Sequence, residues 1–91
     1  MKFVKFANPF HPGEILLEEF LEPKNISQRK FAQKLKWSPR KLNEVIKGKR
    51  SITALSAIDL ADTLGTSPEF WLNLQLTWDL AQAYKAKKRA A

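Results

Sequence analysis

The chain has 91 residues, no cysteine and a formal net charge of +7. That length supports one compact domain with a modest core, and the missing thiols exclude a disulfide framework, a cysteine nucleophile and a thiolate metal ligand. A hydrophobic content of 44% fits a folded chain, and no apolar run approaches the ~20 residues that a membrane helix needs.

Residues 1–10, "MKFVKFANPF", lack clear periodicity and read as an N-terminal arm. Lys5 interrupts their apolar character and no small-residue cleavage site follows, so a signal peptide is not expected. "HPGEILLEEFLEP" opens the first helix. Pro12 suits the first helical turn, Glu14, Glu18 and Glu19 favour the positive end of the helix dipole, and Pro23 stops the helix near Glu22. Ile15, Leu16 and Phe20 supply its apolar surface.

Asn25 suits the left-handed conformation of a connection. Ser27 then caps a second helix over about 28–35, with Phe31, Ala32 and Leu35 on one buried face. Ser38 and Pro39 start a third helix, which ends near Lys47 with Gly48 closing it. Thr53 caps a fourth, whose core side is predicted to be Leu55, Ile58, Ala61 and Leu64, with Gly65 as its stop. Ser67 and Pro68 begin a fifth, in which Phe70, Trp71, Leu74 and Trp78 recur near helical spacing. Phe70 and Trp71 are expected to close the core. "KAKKRAA" is expected to fray as a basic tail, residues 85–91. No alternating pattern predicts a strand. The expected fold is all-α, a five-helix bundle in one domain over residues 11–84.

The charge is concentrated. Residues 24–50 hold ten Lys or Arg against Glu44 alone, residues 85–91 add four cations, and the two remaining stretches are net acidic. A local positive field suits a polyanion, by phosphate neutralisation and counterion release. A basic surface that merely aids solubility is the plainer alternative.

Only "KWS" separates the second and third helices. Two short helices so joined form a helix-turn-helix, in which the second helix enters the major groove of DNA. At ~100° per residue, Leu42, Val45 and Ile46 share one arc of the third helix. Arg40, Asn43, Glu44 and Lys47 lie opposite, with Lys41 on the flank. The outward set matches base-edge chemistry. Arg40 can donate two hydrogen bonds to guanine and Asn43 can pair with adenine, while Glu44 suits either of two roles, accepting from cytosine or orienting Arg40. Ser27 and Gln28 can present a side chain and free N–H groups to a phosphate. Lys47, Lys49 and Arg50 can hold the far side of the groove. Lys24, Arg29, Lys30, Lys34 and Lys36 add a general field.

Four segments carry a family resemblance: "HPGEILLEEFLEP", "SQRKFAQKL", "NEVIKGKRSIT" and "LADTLGTSPEFWLNLQ". Together they resemble the HigA/VapI antitoxins, small regulators built on the Xre (lambda-repressor-like) helix-turn-helix, over about residues 11–84. The resemblance implies a five-helix, cytoplasmic bacterial protein, nucleoid-associated when it occupies double-stranded operator DNA. It further implies a homodimer that represses its own operon and neutralises a HigB-type (RelE-like) toxin. On this sequence the implied DNA contacts are Ser27, Gln28, Ser38, Arg40, Lys41, Asn43 and Lys47, with Glu44 at a position where Glu is common. Two departures stand out. Lys36-Trp37 occupies a turn that is commonly Gly-Val, and Arg40-Lys41 replaces a frequent small hydroxyl residue, so the operator sequence does not transfer. A stand-alone Xre-type regulator without a toxin is the alternative, and a purely protein-binding adaptor is a third.

Trp78, Leu80 and Tyr84 are candidates for a dimer or toxin interface, where aromatic residues concentrate. His11, the single histidine, has Glu14 as its only nearby carboxylate in sequence, too few ligands for a metal site, and reads as a cap or surface residue. Asp59 and Asp62 lack a nucleophile or second histidine. No enzyme activity, cofactor, metal or membrane partner is expected.

Overall fold

A computed structural model describes residues 9–90. The expected arm falls almost wholly outside the described residues. Five helices follow. α1 opens as an α-helical turn, Pro12–Ile15, and runs on as a π-helix over Leu16–Leu21. α2 is Gln28–Leu35, α3 Pro39–Ile46, α4 Ala54–Leu64 and α5 Pro68–Ala90. There is no strand among the described residues.

The helix starts follow the capping chemistry of the sequence. The hydroxyls of Ser27, Ser38, Thr53 and Ser67 accept from the N–H of Lys30, Lys41, Ser56 and Phe70, at 3.1, 3.1, 3.2 and 3.1 Å. Each bond satisfies a first-turn donor that no helical carbonyl can reach.

The helix ends share a second device. Asn25, Lys36, Gly48 and Gly65 all have positive φ, between 57° and 75°. At Lys36 the following N–H of Trp37 reaches back to the Ala32 carbonyl at 3.0 Å, and at Gly48 that of Lys49 reaches Glu44 at 2.8 Å. These bonds satisfy carbonyls that would otherwise lack partners and turn the chain sharply. Lys36 does this with a side chain, at the steric cost that glycine would avoid.

The core joins Leu16 and Leu21 of α1, Phe31, Ala32 and Leu35 of α2, Leu42 and Val45 of α3, Ala57 and Leu60 of α4, and Trp71 of α5. Trp37, from the turn, is buried with them, and its indole N–H donates to Asp59 at 2.9 Å. Asp59 is therefore a hydrogen-bond partner of the core. Gln75 is also buried. Its carbonyl oxygen accepts from the Ile52 N–H at 2.7 Å, tying the α3–α4 connection to α5.

Three expectations are corrected. On α4, Leu55 and Ile58 are 76% and 44% exposed; Ala61 is buried as expected, together with Ser56, Ala57 and Leu60, and Leu64 is partly buried against the core. The buried face mixes small side chains with Leu60, so bulk alone did not mark the face that turned inward. Phe70 is 39% exposed, although its ring meets Phe20 and Trp71 edge-on; only Trp71 is fully buried. The basic end is helical as far as Ala90, and Lys87, Lys88 and Arg89 there complement the negative end of the helix dipole.

Replacing Lys36 with glycine removes a left-handed side chain from an exposed turn. Lys36→Gly is expected to stabilise the fold by roughly 0.5–1 kcal/mol and to raise the thermal midpoint in a circular dichroism melt by a few degrees. An unchanged or lowered midpoint would mean that the turn carries no such strain.

Candidate nucleic-acid interface

α2 and α3 are joined by Lys36, Trp37 and Ser38, and the buried side chains of α3 set its rotation. Leu42 and Val45 have no exposed surface. Burying two such side chains contributes about 1.5–3 kcal/mol each, enough to hold the opposite face of a two-turn helix outward. That face carries the sequence-predicted groups, and the structure brings several of them together.

Glu44 is the hub. One carboxylate oxygen accepts from Arg40 Nε at 3.2 Å, and the other accepts from Arg50 Nε and Nη2 at 2.9 and 2.6 Å. Glu44 thus ties the guanidiniums of Arg40 and Arg50 to one carboxylate on the α3 face. Hydrogen bonds from Arg50, then from Arg40, hold its carboxyl below the ordinary value of 4.5, outweighing the opposite effect of desolvation. The Arg40 side chain remains 87% exposed, with its guanidinium terminus directed by this contact.

Asn43 lies beside this cluster, and its amide donates to the Gln28 side-chain oxygen at 3.3 Å. The bond links the face of α3 to the first residue of α2. Lys41 lies on the flank with its ammonium 4.3 Å from the centre of the Trp37 ring, a cation–π contact. Ser27, Ser38, Lys47, Lys49 and Arg50 are exposed. Ser27 and Ser38 spend their hydroxyls on the caps of α2 and α3 while remaining at the surface.

The α5 candidates separate. Trp78 is half-buried and meets the His11 ring edge-on, at a centroid distance of 5.3 Å. Leu80 and Tyr84 lie on another side of the helix, exposed and in line with exposed Leu76 at intervals of four residues. Sequence reasoning did not anticipate the Gln28–Asn43 bond, the Trp37–Asp59 bond or the exposed Leu55 and Ile58. A polar pair on two adjacent helices was the one available signal for the first. Among the described residues, no three His, Asp or Glu side chains group as a metal site, and no helix is long and apolar enough to cross a membrane.

The helix-turn-helix family model matches residues 17–71. Virulence-associated protein I of Dichelobacter nodosus is 41% identical over 78 residues, 86% of this chain and 72% of that protein. The chain belongs to the HigA/VapI family of helix-turn-helix proteins. Antitoxin HigA-1 of Vibrio cholerae is 37% identical over 84 residues, covering 89% of this chain and 79% of its own. The antitoxin HigA of Pseudomonas aeruginosa, solved with the higBA promoter, superposes with a TM-score of 0.86 at 42% identity, covering 91% of this chain and 90% of its own. Within this HigA/VapI member the turn residues Lys36 and Trp37 are accommodated by a left-handed backbone and by the Asp59 bond.

The Glu44 cluster yields a testable ordering. In a carboxyl NMR titration Glu44 should titrate below an ordinary glutamate. Arg50→Ala should move it back upward further than Arg40→Ala does, because Arg50 supplies the larger effect. Equal or reversed shifts would show that Arg50 does not hold the carboxylate in solution.

Proposed function

We propose that this chain is a sequence-specific DNA-binding repressor that acts on its own operator and serves as the antitoxin of a HigB-type toxin. The observation that carries the reading is the outward face of α3, where an exposed guanidinium is aimed by Glu44 and an amide is braced by Gln28. Side chains already held in place lose less freedom on binding.

In this reading α3 enters the major groove, which at ~12 Å just admits a helix. Arg40 reads guanine through paired donors and Asn43 reads adenine. Glu44 is an orienter of Arg40 and Arg50. Ser27, Gln28 and Ser38 bring helix starts to the phosphates, and Lys41, Lys47, Lys49 and Arg50 flank the groove. The reading describes a binding protein, with no catalytic step.

One recognition helix reads one half-site, so a homodimer spanning two half-sites about 34 Å apart completes the function. Exposed Leu76, Leu80 and Tyr84 on α5, and Leu55 and Ile58 on α4, supply apolar surface for contact with a second copy or with the toxin. Trp78 contributes at its partly exposed edge.

DNA binding is tested with duplexes from the region upstream of the chain's own gene. Arg40→Ala should cost about 1–3 kcal/mol on the operator and much less on random DNA. Lys49→Ala should weaken both alike and reduce the log–log salt slope by about one. Equal losses for Arg40→Ala on the two DNAs would make Arg40 a phosphate contact and remove its base-reading role.

The protein partners are tested by mass. Ultracentrifugation should find two chains per operator, and co-expression should recover the product of the adjacent reading frame with this chain. One chain per operator would remove the dimer. Failure to recover the neighbour would leave a regulator without a toxin.

A further inference from the structure

The "HPGE" segment, residues 11–14, makes no part of the interface described above, yet it abuts the end of the recognition helix. His11 is only 5% exposed. Its Nδ1 accepts from the Gly13 N–H at 2.9 Å, so the ring caps α1 as a neutral imidazole with its proton on Nε2. At Gly13 a Cβ would fall 1.8 Å from the Val45 carbonyl oxygen and 2.8 Å from the Ile46 Cα. The first turn of α1 therefore meets the C-terminal turn of α3 backbone to backbone, and only glycine permits it. A Cβ at Gly48, which closes α3, would lie 3.5–3.9 Å from the His11 side chain, whose ring Trp78 supports edge-on from α5.

We infer that His11, Gly13 and Trp78 form a seat that positions the recognition helix, and that protonation of His11 unseats it and lowers discrimination between operator and other DNA. A proton on Nδ1 turns the cap acceptor into a donor facing the Gly13 N–H. It also places a cation inside the fold and at the positive end of a helix. The charged groups around the ring are Glu14 and Glu18 of α1, Lys47 at the end of α3 and Asp79 of α5.

Burial lowers the His11 pKa from its ordinary 6.5, against the raising influence of Asp79 and Glu14. The unfolded chain therefore takes up the proton first as pH falls. Stability from the neutral cap is full above 6.5 and declines on the acid side of it. His11 is the single histidine of the chain, so no other imidazole titrates in this window.

The inference rests on the DNA-binding reading, and the experiment separates the two. The intact chain is titrated by fluorescence anisotropy with operator and random duplexes, at fixed salt, from about pH 7.5 to about pH 5. Circular dichroism monitors the fold. The operator-to-random affinity ratio of the wild type should fall about five- to thirtyfold on acidification, the scale of losing one helix cap. His11→Asn keeps a capping oxygen that does not titrate, and should hold the ratio nearly constant with pH. Gly13→Ala should lower the ratio throughout; if it does not fold, the His11→Asn comparison still decides. The same pH profile for wild type and His11→Asn overturns the inference, as does an equal strengthening of both DNAs by acid, which marks added charge alone.

A second readout needs no DNA. The NMR amide signals of Val45, Ile46 and Gly48 should follow the His11 titration in the wild type and stay still in His11→Asn. If they do so while operator and random DNA bind equally at neutral pH, the seat stands and the DNA reading fails. If they do not follow it, the seat is overturned.

Discussion

Everything that the outward face of α3 presents depends on its inward face. The helix is two turns long, and an isolated helix of that length is marginal in water. Leu42 and Val45, both without exposed surface, lock it against α1, α2 and the rest of the core. The rotation that buries these two aliphatic side chains is the one that exposes Arg40 and directs Asn43 toward Gln28. The polar groups therefore need no separate device to face outward. They need only to be held in place once there, and Glu44 and Gln28 supply that.

Two kinds of contact share the work. Side-chain packing sets the rotation of α3, and a close backbone contact sets how near α1 lies to its C-terminal turn. The contact is the Gly13 turn against Val45 and Ile46. Backbone atoms cannot change rotamer, so this limit yields less readily than side-chain packing does. Around it the electrostatics are local. Glu44, the only acid in the basic block, neutralises part of the positive charge and ties Arg40 and Arg50 to one carboxylate. The exposed pairs contribute little to stability, and their consequence is geometric.

Much of the fold was legible in the sequence because its punctuation is chemical. Ser27, Ser38, Thr53 and Ser67 are short hydroxyl residues before helical stretches, and each has the cap bond that its chemistry suggests. Gly48 and Gly65 sit where a left-handed residue must end a helix. The turn at Lys36-Trp37 was harder. No local rule would choose lysine there, and its acceptance depends on Trp37 finding both a buried pocket and Asp59, twenty-two residues away. Helix four misled for a related reason. Its large aliphatic residues invited burial, but of them only Leu60 is fully buried, beside Ser56, Ala57 and Ala61, and which face turns inward is not a local property.

The sequence alone determined what depends on near neighbours along the chain: helix starts and the stops of the first four helices, the three-residue turn between α2 and α3, the basic block and the family to which its motifs point. These follow from capping chemistry, backbone sterics and charge, which act within a few residues. Only the tertiary structure decided which faces meet. It turned Leu55 and Ile58 outward, joined Asn43 to Gln28, gave Glu44 to both arginines and set His11 against Trp78 at the end of α3. Burial is settled by the packing of all five helices together, and partners distant in sequence become neighbours only when that packing is complete.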